Sequence, residues 1–416
     1  MPTARQAFAF SVISLFIFFS LSDAIIENAN TIRAAIANRR YPDFSYYQNL
    51  RTLSVDEFPL GDSKRRVIVV GDVHGMIKPM RALLDKVSYD EATDVLIHVG
   101  DILSKGGHGG SMDVLSYMAS NNITGVRGNH DQKVIEWRGW INWIRTLPGG
   151  QRWLKEKLEK YAEAEAEGVP LERWIKREKK YDKSKWWKLV PKDWVLFGEH
   201  YKIARAMTNA QYNYLVSLPL TLYIPSAHTY IVHAGLLPSD PNYPFNHRRQ
   251  PLARVPNYPP ATKSGPKKLK NETLPILRGL QELAILKDVP QNTIPWDILN
   301  IRSVLNGKVT NGYTRELNIT KPMKDALPCY PSTIIYGHAA SRGLDVKRWS
   351  IGLDSGCVYS RRLTALILTP KSHHKTLRVQ DDNMDREDGR DPTTEANNSF
   401  PFGEMGRGTI VSVSCR

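Results

Sequence analysis

Short apolar runs recur along the chain, each closed by a glycine and followed by a stretch with helical spacing. Residues 67–70 (VIVV) are apolar at four successive positions and stop at Gly71, the pattern of a short buried strand. In residues 76–87, MIKPMRALLDKV, apolar side chains fall at helical intervals, and Pro79 belongs in the first turn. A second run, 95–99, leads into GDILSKGG. A helix is expected over 111–120, and 123–127 predicts a third strand ending in GNHD. Strand, loop and helix repeating in this way predict βαβ units and a parallel sheet. Further strands are expected at 229–233, 333–337, 351–355 and 364–369. Between them, residues 132–215 read as a helical insertion rich in Trp, Lys and Glu, much of it a solvated face of mixed charge.

The ends have a different texture. Residues 7–21, AFAFSVISLFIFFSL, follow Arg5 and suit the apolar core of a secretory signal. Ser22 and Ala24 are the small residues of a cleavage site. Ile25 and Ile26 extend the apolar run across Asp23, so an uncleaved anchor is the alternative. Residues 1–24 are therefore a signal peptide or signal anchor, and 25–65 a polar, irregular segment. The chemistry-bearing domain is expected over 66–370, with a long Pro- and Asn-rich loop at 238–270. A low-complexity, disordered tail is expected over 371–416, where GTIVSVSC is the one candidate strand. Sequons at Asn122, Asn271, Asn318 and Asn397 agree with a secretory route. Cys329, Cys357 and Cys415 allow one disulfide with one thiol left over, and no pair has metal-ligand spacing.

The 416 residues hold 57 Lys and Arg against 42 Asp and Glu, a net charge of +15. With 41% hydrophobic residues the chain is neither wholly disordered nor collagen-like nor a disulfide scaffold. The charge predicts an acidic partner. The segment KREKKYDKSKWWK, 176–188, interleaves Lys with Trp and Tyr. It reads as helix-surface lysines over buried tryptophans, with polyanion binding as the alternative; KSGPKKLK, 263–270, is a second basic cluster.

The loops at the predicted strand ends collect one kind of chemistry. Asp72 and His74 lie in GDVHG, Asp101 in GDILSKG, Asn129 and His130 in GNHD, His233 in VHAG, and His338 in YGH. Consecutive strands would deliver these side chains to the carboxyl edge of one sheet, where open α/β sheets bind ligands. Carboxylate, imidazole and amide donors without thiolate suit a divalent Zn, Mn, Fe or Co ion. A carboxylate can bridge two such ions, so Asp72, His74 and Asp101 are assigned to one ion, and Asp101, Asn129, His233 and His338 to the other. His130 has no place in either set and suits a general acid beside Asp101 and Asn129.

GDVHG, GDILSKG, VRGNHD, VHAGLLP and YGH resemble the calcineurin-like metallophosphoesterases of the phosphoprotein-phosphatase superfamily, over about residues 66–370. The resemblance implies a four-layer α/β/β/α sandwich with two divalent metals at its top and the ligand roles given above. One departure stands out. The superfamily's Asp-Arg in the second motif is Ser104-Lys105 here. Lys105 can still bind phosphate as a point charge. Ser104 cannot stabilise a protonated His130, and Asp131 is a substitute to consider. The GDxxxKG form, with LDSGCVYSRRLTAL at 353–366, resembles the ApaH-like phosphatases, which cleave diadenosine polyphosphates or other phosphoanhydrides. A signal or anchor before such a domain resembles the fungal vacuolar zinc-dependent endopolyphosphatases of that group, which favours Zn.

Arg302, in ILNIRSV, resembles a phosphate-contacting arginine of the group. Arg127 and Arg342 are further phosphate binders to test, and Tyr336 is expected to pack in its strand. The expected function is a two-metal hydrolase of phosphoanhydride bonds, first of all inorganic polyphosphate cut internally. The alternatives are a diadenosine polyphosphate or nucleotide hydrolase, a serine/threonine protein phosphatase and, in a different class, a non-catalytic polyanion-binding protein. The expected place is the secretory pathway, in the vacuole lumen or its membrane, with the extracellular space as alternative. Nucleic acid is disfavoured as a partner, and a membrane would be met only through an uncleaved anchor.

Overall fold

A computed structural model describes residues 41–182, 184–244, 247–252, 274–305, 308–310, 330–371 and 399–416. The signal segment, the sequons at Asn271, Asn318 and Asn397, Cys329 and the 263–270 cluster lie outside the described residues. No described helix is long and apolar enough to cross a membrane. The chain divides into two compact units. The smaller has residues 41–45 and 134–206 as its described part, and the larger spans Tyr46–Lys133 and Met207–Arg416.

In the larger unit, β1 (Gln48–Thr52) precedes β2 (Arg66–Val70), helix α1 (Ile77–Lys86), β3 (Asp94–His98), helix α2 (His108–Ser120) and β4 (Thr124–Gly125). Helix α3 (Asn129–Thr146) begins in this unit, and the boundary between the units falls within it. In the smaller unit follow α4 (Gly150–Ala166), α5 (Leu171–Tyr181), a 3-10 turn at Lys185–Leu189 and α6 (Glu199–Ala206). The chain returns through α7 (Asn209–Ser217), β5 (Pro219–Ile224), β6 (Thr229–Val232), α8 (Leu274–Asp288) and α9 (Pro295–Asn300). Then come β7 (Ser303–Leu305), β8 (Lys308–Thr310), β9 (Thr333–Tyr336), β10 (Asp345–Lys347) and β11 (Ser350–Gly352). The last strands are β12 (Arg362–Pro370), β13 (Ser399–Phe402) and β14 (Gly406–Ser414).

Two six-stranded sheets result, in the orders β13-β14-β12-β2-β3-β4 and β1-β5-β6-β9-β11-β10. Strands β2, β3 and β4 pair in parallel, as the repeated strand–helix spacing predicts; β12 closes on β2 antiparallel. Alternation sorts the side chains. Val67 and Val69 of β2, Leu222 and Ile224 of β5, and Ile231 of β6 share one buried cluster between the sheets. Leu220, Tyr230 and Val232 face the other way, where they meet Leu286 of α8 and Ile298 and Leu299 of α9. Helices α1 and α2 bury Met80, Leu83, Val114, Leu115 and Met118, the fourth layer of an α/β/β/α sandwich.

Two expectations change. Part of the tail is ordered sheet: β14 pairs with β12 along nine residues, and Cys415 is bonded to Cys357. Residues 372–398, the most polar part of that tail, lie outside the described residues. The segment read as irregular also contains β1, which lies parallel to β5 at a sheet edge. Its sequence, QNLRT, is polar because an edge strand is only half covered.

Candidate metal centre

Every residue assigned to metal follows a strand or opens a helix at the carboxyl edge of the sheets. Asp72 and His74 follow β2, Asp101 follows β3, Asn129 opens α3 after β4, His233 follows β6 and His338 follows β9. The turns are tight enough to hold three of these in left-handed backbone conformations, with φ of 47° at His74, 47° at Asp101 and 67° at His338. Such conformations are costly for residues with a Cβ and persist where surrounding structure imposes them. The imposing contacts are backbone bonds between loops. His74 N–H donates to the Asp101 carbonyl at 2.8 Å, Gly75 N–H to Ile102 at 2.8 Å, and Gly337 N–H to His233 at 2.8 Å. His338 N–H in turn donates to the Asp72 carboxylate, 3.0 Å from Oδ2.

The loops converge on two donor groups, Asp72–His74–Asp101 and Asp101–His233–His338, all buried. Within each group the donor atoms lie within 4.8 Å of one another. Asp101 belongs to both, as a bridging carboxylate must. The tautomers follow from the neighbours. His233 Nδ1 lies 2.9 Å from the Val99 carbonyl and His74 Nδ1 3.2 Å from the Leu103 carbonyl, so each Nδ1 carries the proton. The Nε2 lone pair of His233 then faces Asn129 Oδ1 at 3.1 Å, Asp101 Oδ2 at 3.4 Å and His338 Nδ1 at 3.2 Å. Burial works against a charged His233, yet Asp101 beside it raises its pKa, so a positive charge is favoured at this point of convergence, and a divalent cation would supply it. His338 Nε2 is also buried without a hydrogen-bond partner among the described residues. The donor set therefore fits divalent metal, with imidazole and carboxylate suited to Zn, Mn, Fe or Co.

The electrostatics agree. Burial pushes the Asp72 carboxyl well above the usual carboxylate range, and the nearby Asp354 and Asp101 add to that rise. Burial also drives His338 down to about 2, so its imidazole is neutral and free to coordinate. For Asp101, burial works against the charge, but His233 and His130 beside it hold the carboxylate well below its ordinary value.

Residues 65–234 match the calcineurin-like phosphoesterase family, and this stretch carries five of the six assigned ligands. The two-sheet α/β architecture is consistent with that family's fold. The family works with two divalent metals, the number that two donor groups sharing Asp101 accommodate. A symmetrical bis(5'-nucleosyl)-tetraphosphatase of Pseudomonas fluorescens (strain SBW25) is 35% identical over 135 residues, 30% of this chain and 44% of the relative. Serine/threonine-protein phosphatase 1 of Salmonella typhimurium (strain LT2) is 32% identical over 105 residues, 25% of this chain and 47% of the relative. The chain thus spans less than half the length of these curated relatives. Among solved structures, one described as a candidate diadenosine tetraphosphatase aligns with a TM-score of 0.40 and 21% identity, covering 88% of this chain and 98% of that one.

Around these ligands, the other predicted residues separate. The His130 ring stands edge-on to His74 with centroids 5.3 Å apart, and its backbone N–H holds Asp101 Oδ1 at 2.9 Å. Its ring thus lies beside the donor groups without belonging to either. Asp131, considered for the orienting role, has its carboxylate turned to backbone. Its carboxylate accepts from the backbone N–H of Gly128 at 2.9 Å and of Leu103 at 3.3 Å, tying the second and third motif loops together. Lys105 Nζ lies 3.4 Å from His74 Nε2, at the edge of the centre. Arg302 is close enough to His338 to help press its pKa down. Arg342 donates to the Arg302 carbonyl at 3.3 Å, and both line a cleft of about 220 Å³ with Ala234, Gly235 and Tyr336.

Arg127 is a correction. It is fully buried, donating to the Tyr46 carbonyl, to Gln132 Oε1 at 2.8 Å and to the Val216 carbonyl at 2.6 Å, and so braces the GNHD loop rather than facing substrate. Tyr336 packs as expected, its hydroxyl on Asp345 Oδ2 at 2.9 Å. One residue escaped the sequence reading. Asp354, buried after β11, acts electrostatically on Asp72, His74 and Asp101, a further carboxylate at the centre. The signal was available: LDSG repeats the pattern of a strand ending in an acid next to glycine.

Proposed function

We propose that this chain is a two-metal hydrolase of phosphoanhydride bonds, cutting inorganic polyphosphate internally. One observation carries the reading: a buried pair of donor groups sharing Asp101 lies beside residues that continue into a cleft lined by Arg302 and Arg342, and Lys105 Nζ stands 3.4 Å from His74 Nε2. Two divalent ions, when bound, supply Lewis acidity and lower the pKa of water toward neutrality. Asp72, His74, Asp101, Asn129, His233 and His338 would hold them. The protein's own groups do the rest. Lys105, Arg302 and Arg342 offset the charge of the phosphates flanking the scissile bond, as point charges or forks. His130, outside the ligand set, gives a proton to the departing phosphate oxygen. Burial of the carboxylates keeps these charges poorly screened, so each acts more strongly than in water.

The Cys357–Cys415 disulfide supports a secretory or vacuolar setting, since such bonds persist in oxidising compartments. Cleavage of diadenosine polyphosphates is the second reading, favoured by the relative named as a tetraphosphatase. The presence of every ligand weighs against a non-catalytic binder. The test incubates purified protein with long-chain polyphosphate, diadenosine tetraphosphate and a phosphopeptide, adding metals singly and resolving products on gels. Internal cutting of polyphosphate is expected. Hydrolysis of the dinucleotide alone would move the assignment to the second reading, and of the phosphopeptide alone to a protein phosphatase. Inertness toward all three under every metal would overturn the enzyme.

A further inference from the structure

The smaller unit carries a feature that the chemistry of the metal centre leaves unused. Helix α5 buries one face: Trp174 packs on Tyr161, Phe197 and Trp187 with ring centroids 5.2, 5.7 and 6.3 Å away. Opposite that face, Arg173, Lys176, Arg177 and Lys180 follow one another at i, i+3, i+4 and i+7, all exposed. They form one cationic stripe roughly 10 Å long, at 1.5 Å of rise per residue. Every neighbouring pair in it is like-charged. Such pairs cost an isolated helix about 0.2–0.5 kcal/mol each, and Arg173 also sits unfavourably in the first turn against the helix dipole.

Of the acidic residues near the stripe, Glu172 makes no ion pair with it within 4 Å, and two others point elsewhere. Glu178 and Asp182 both turn inward onto Lys157, at 2.7 Å each. Among the described residues, none of the four stripe cations has an acidic partner. The sequence therefore retains a local cost that packing does not explain, on a surface whose apolar side is already filled.

We infer that this stripe is a docking surface for a linear polyphosphate chain, a reading that rests on the substrate class proposed above. Charge complementarity selects the occupant. A membrane-bound helix would present apolar residues for insertion, whereas Tyr181 is the one large apolar side chain exposed over 171–188 among the described residues. Single-stranded nucleic acid would call for a row of exposed rings on which to stack its bases. A chain that offers charge alone matches what the helix offers.

The test replaces all four cations by glutamine and measures binding of end-labelled long-chain polyphosphate by anisotropy at several salt concentrations, in wild type and variant. Affinity should fall about tenfold at low salt. At roughly 0.7 per cation for a single-stranded polyanion, the slope of log affinity against log salt should fall by about 3. Hydrolysis of a small chromogenic phosphate ester should stay within about twofold, and circular dichroism should show the helix intact. A paired Lys176→Arg, Lys180→Arg variant should bind as wild type. Unchanged affinity and salt slope in the glutamine variant would overturn the stripe. A larger loss on phosphatidylserine vesicles or on an RNA oligomer than on polyphosphate would also overturn it and assign the surface to that partner. Because binding is read without turnover, failure to cut polyphosphate would count against the proposed function and leave the stripe to stand or fall on affinity.

Discussion

The two units treat buried charge in opposite ways. In the smaller, Lys157 is enclosed and meets Glu178 and Asp182 at 2.7 Å each, while the indole N–H of Trp187 also reaches Asp182 at 3.1 Å. Each buried charge of that cluster has an opposite charge or a donor against it. In the larger, Asp101, Asn129, His233 and His338 turn metal-ligating atoms toward one another, and His338 Nε2 has no hydrogen-bond partner among the described residues. A satisfied buried charge braces a fold; acceptors that converge unsatisfied require something from outside it. The same distinction works within the larger unit, where Arg127 is spent on three acceptors and Arg302 and Arg342 line a cleft.

Substitutions that leave shape alone sharpen the contrast. Asp101→Asn should have the largest effect, removing the charge common to both donor groups. Hydrolysis should fall about ten-thousandfold, near 5 kcal/mol of transition-state stabilisation, and metal content by elemental analysis should drop. The metal-free variant should also melt somewhat earlier than metal-free wild type, because His233 and His130 hold the Asp101 carboxylate in its charged form; normal metal content in the variant would place Asp101 among the braces. Lys157→Met should reverse the pattern. It strands two carboxylates and should cost about 3 kcal/mol, the low end for a broken buried pair. Their side chains retain 16% and 15% exposure, which softens the loss. Chemical denaturation reads the cost, and activity per folded molecule on a small ester should not change.

Smaller again is the split between two arginines. Arg127→Met should cost about 2 kcal/mol in urea unfolding by leaving buried carbonyls unpaired. Arg342→Ala should leave stability unchanged and raise KM several-fold. Equal behaviour of the two would erase the distinction between brace and site. The gentlest probe is acid. Burial alone would raise the Asp182 carboxyl, but Lys157 and the Ser184 N–H hold it well below the usual carboxylate range. A depressed folded pKa gives stability that is present at neutral pH and lost as pH falls below the unfolded value near 4, through the folded one. That slope should be present in wild type and reduced in Lys157→Met.

Much of the ligand-bearing edge was legible because its signals are local. GDVHG, GDILSKG and GNHD each follow an apolar run, and the strands observed at Arg66–Val70 and Asp94–His98 sit within one residue of the expected ones. What escaped depends on distant chain. β1 is polar and takes its conformation from β5, and β5 begins with a proline and follows a helical stretch without a break in composition. β14 was visible only as a possibility, since its order rests on β12 and on the Cys357–Cys415 bond. Arg127 looked like a phosphate binder because proximity in sequence to GNHD says nothing about side-chain direction. Asp354 was passed over because one acid beside a glycine is common until its neighbours are known.

Two glycines at the centre have a consequence for inherited variation. A methyl group on Gly337 would lie 1.9 Å from Asp72 Oδ1, and one on Gly128 would lie 2.1 Å from Asp101 Oδ1. Neither residue has a side chain that could hold a metal. Even alanine, the mildest replacement, would displace a carboxylate from each donor group. In a population of sequences drifting under selection for activity, these two positions should tolerate no replacement, while the ligands beside them would sometimes exchange one donor for another. Immobility of this kind would mark the site in an alignment as firmly as the histidines, through residues defined by what they lack.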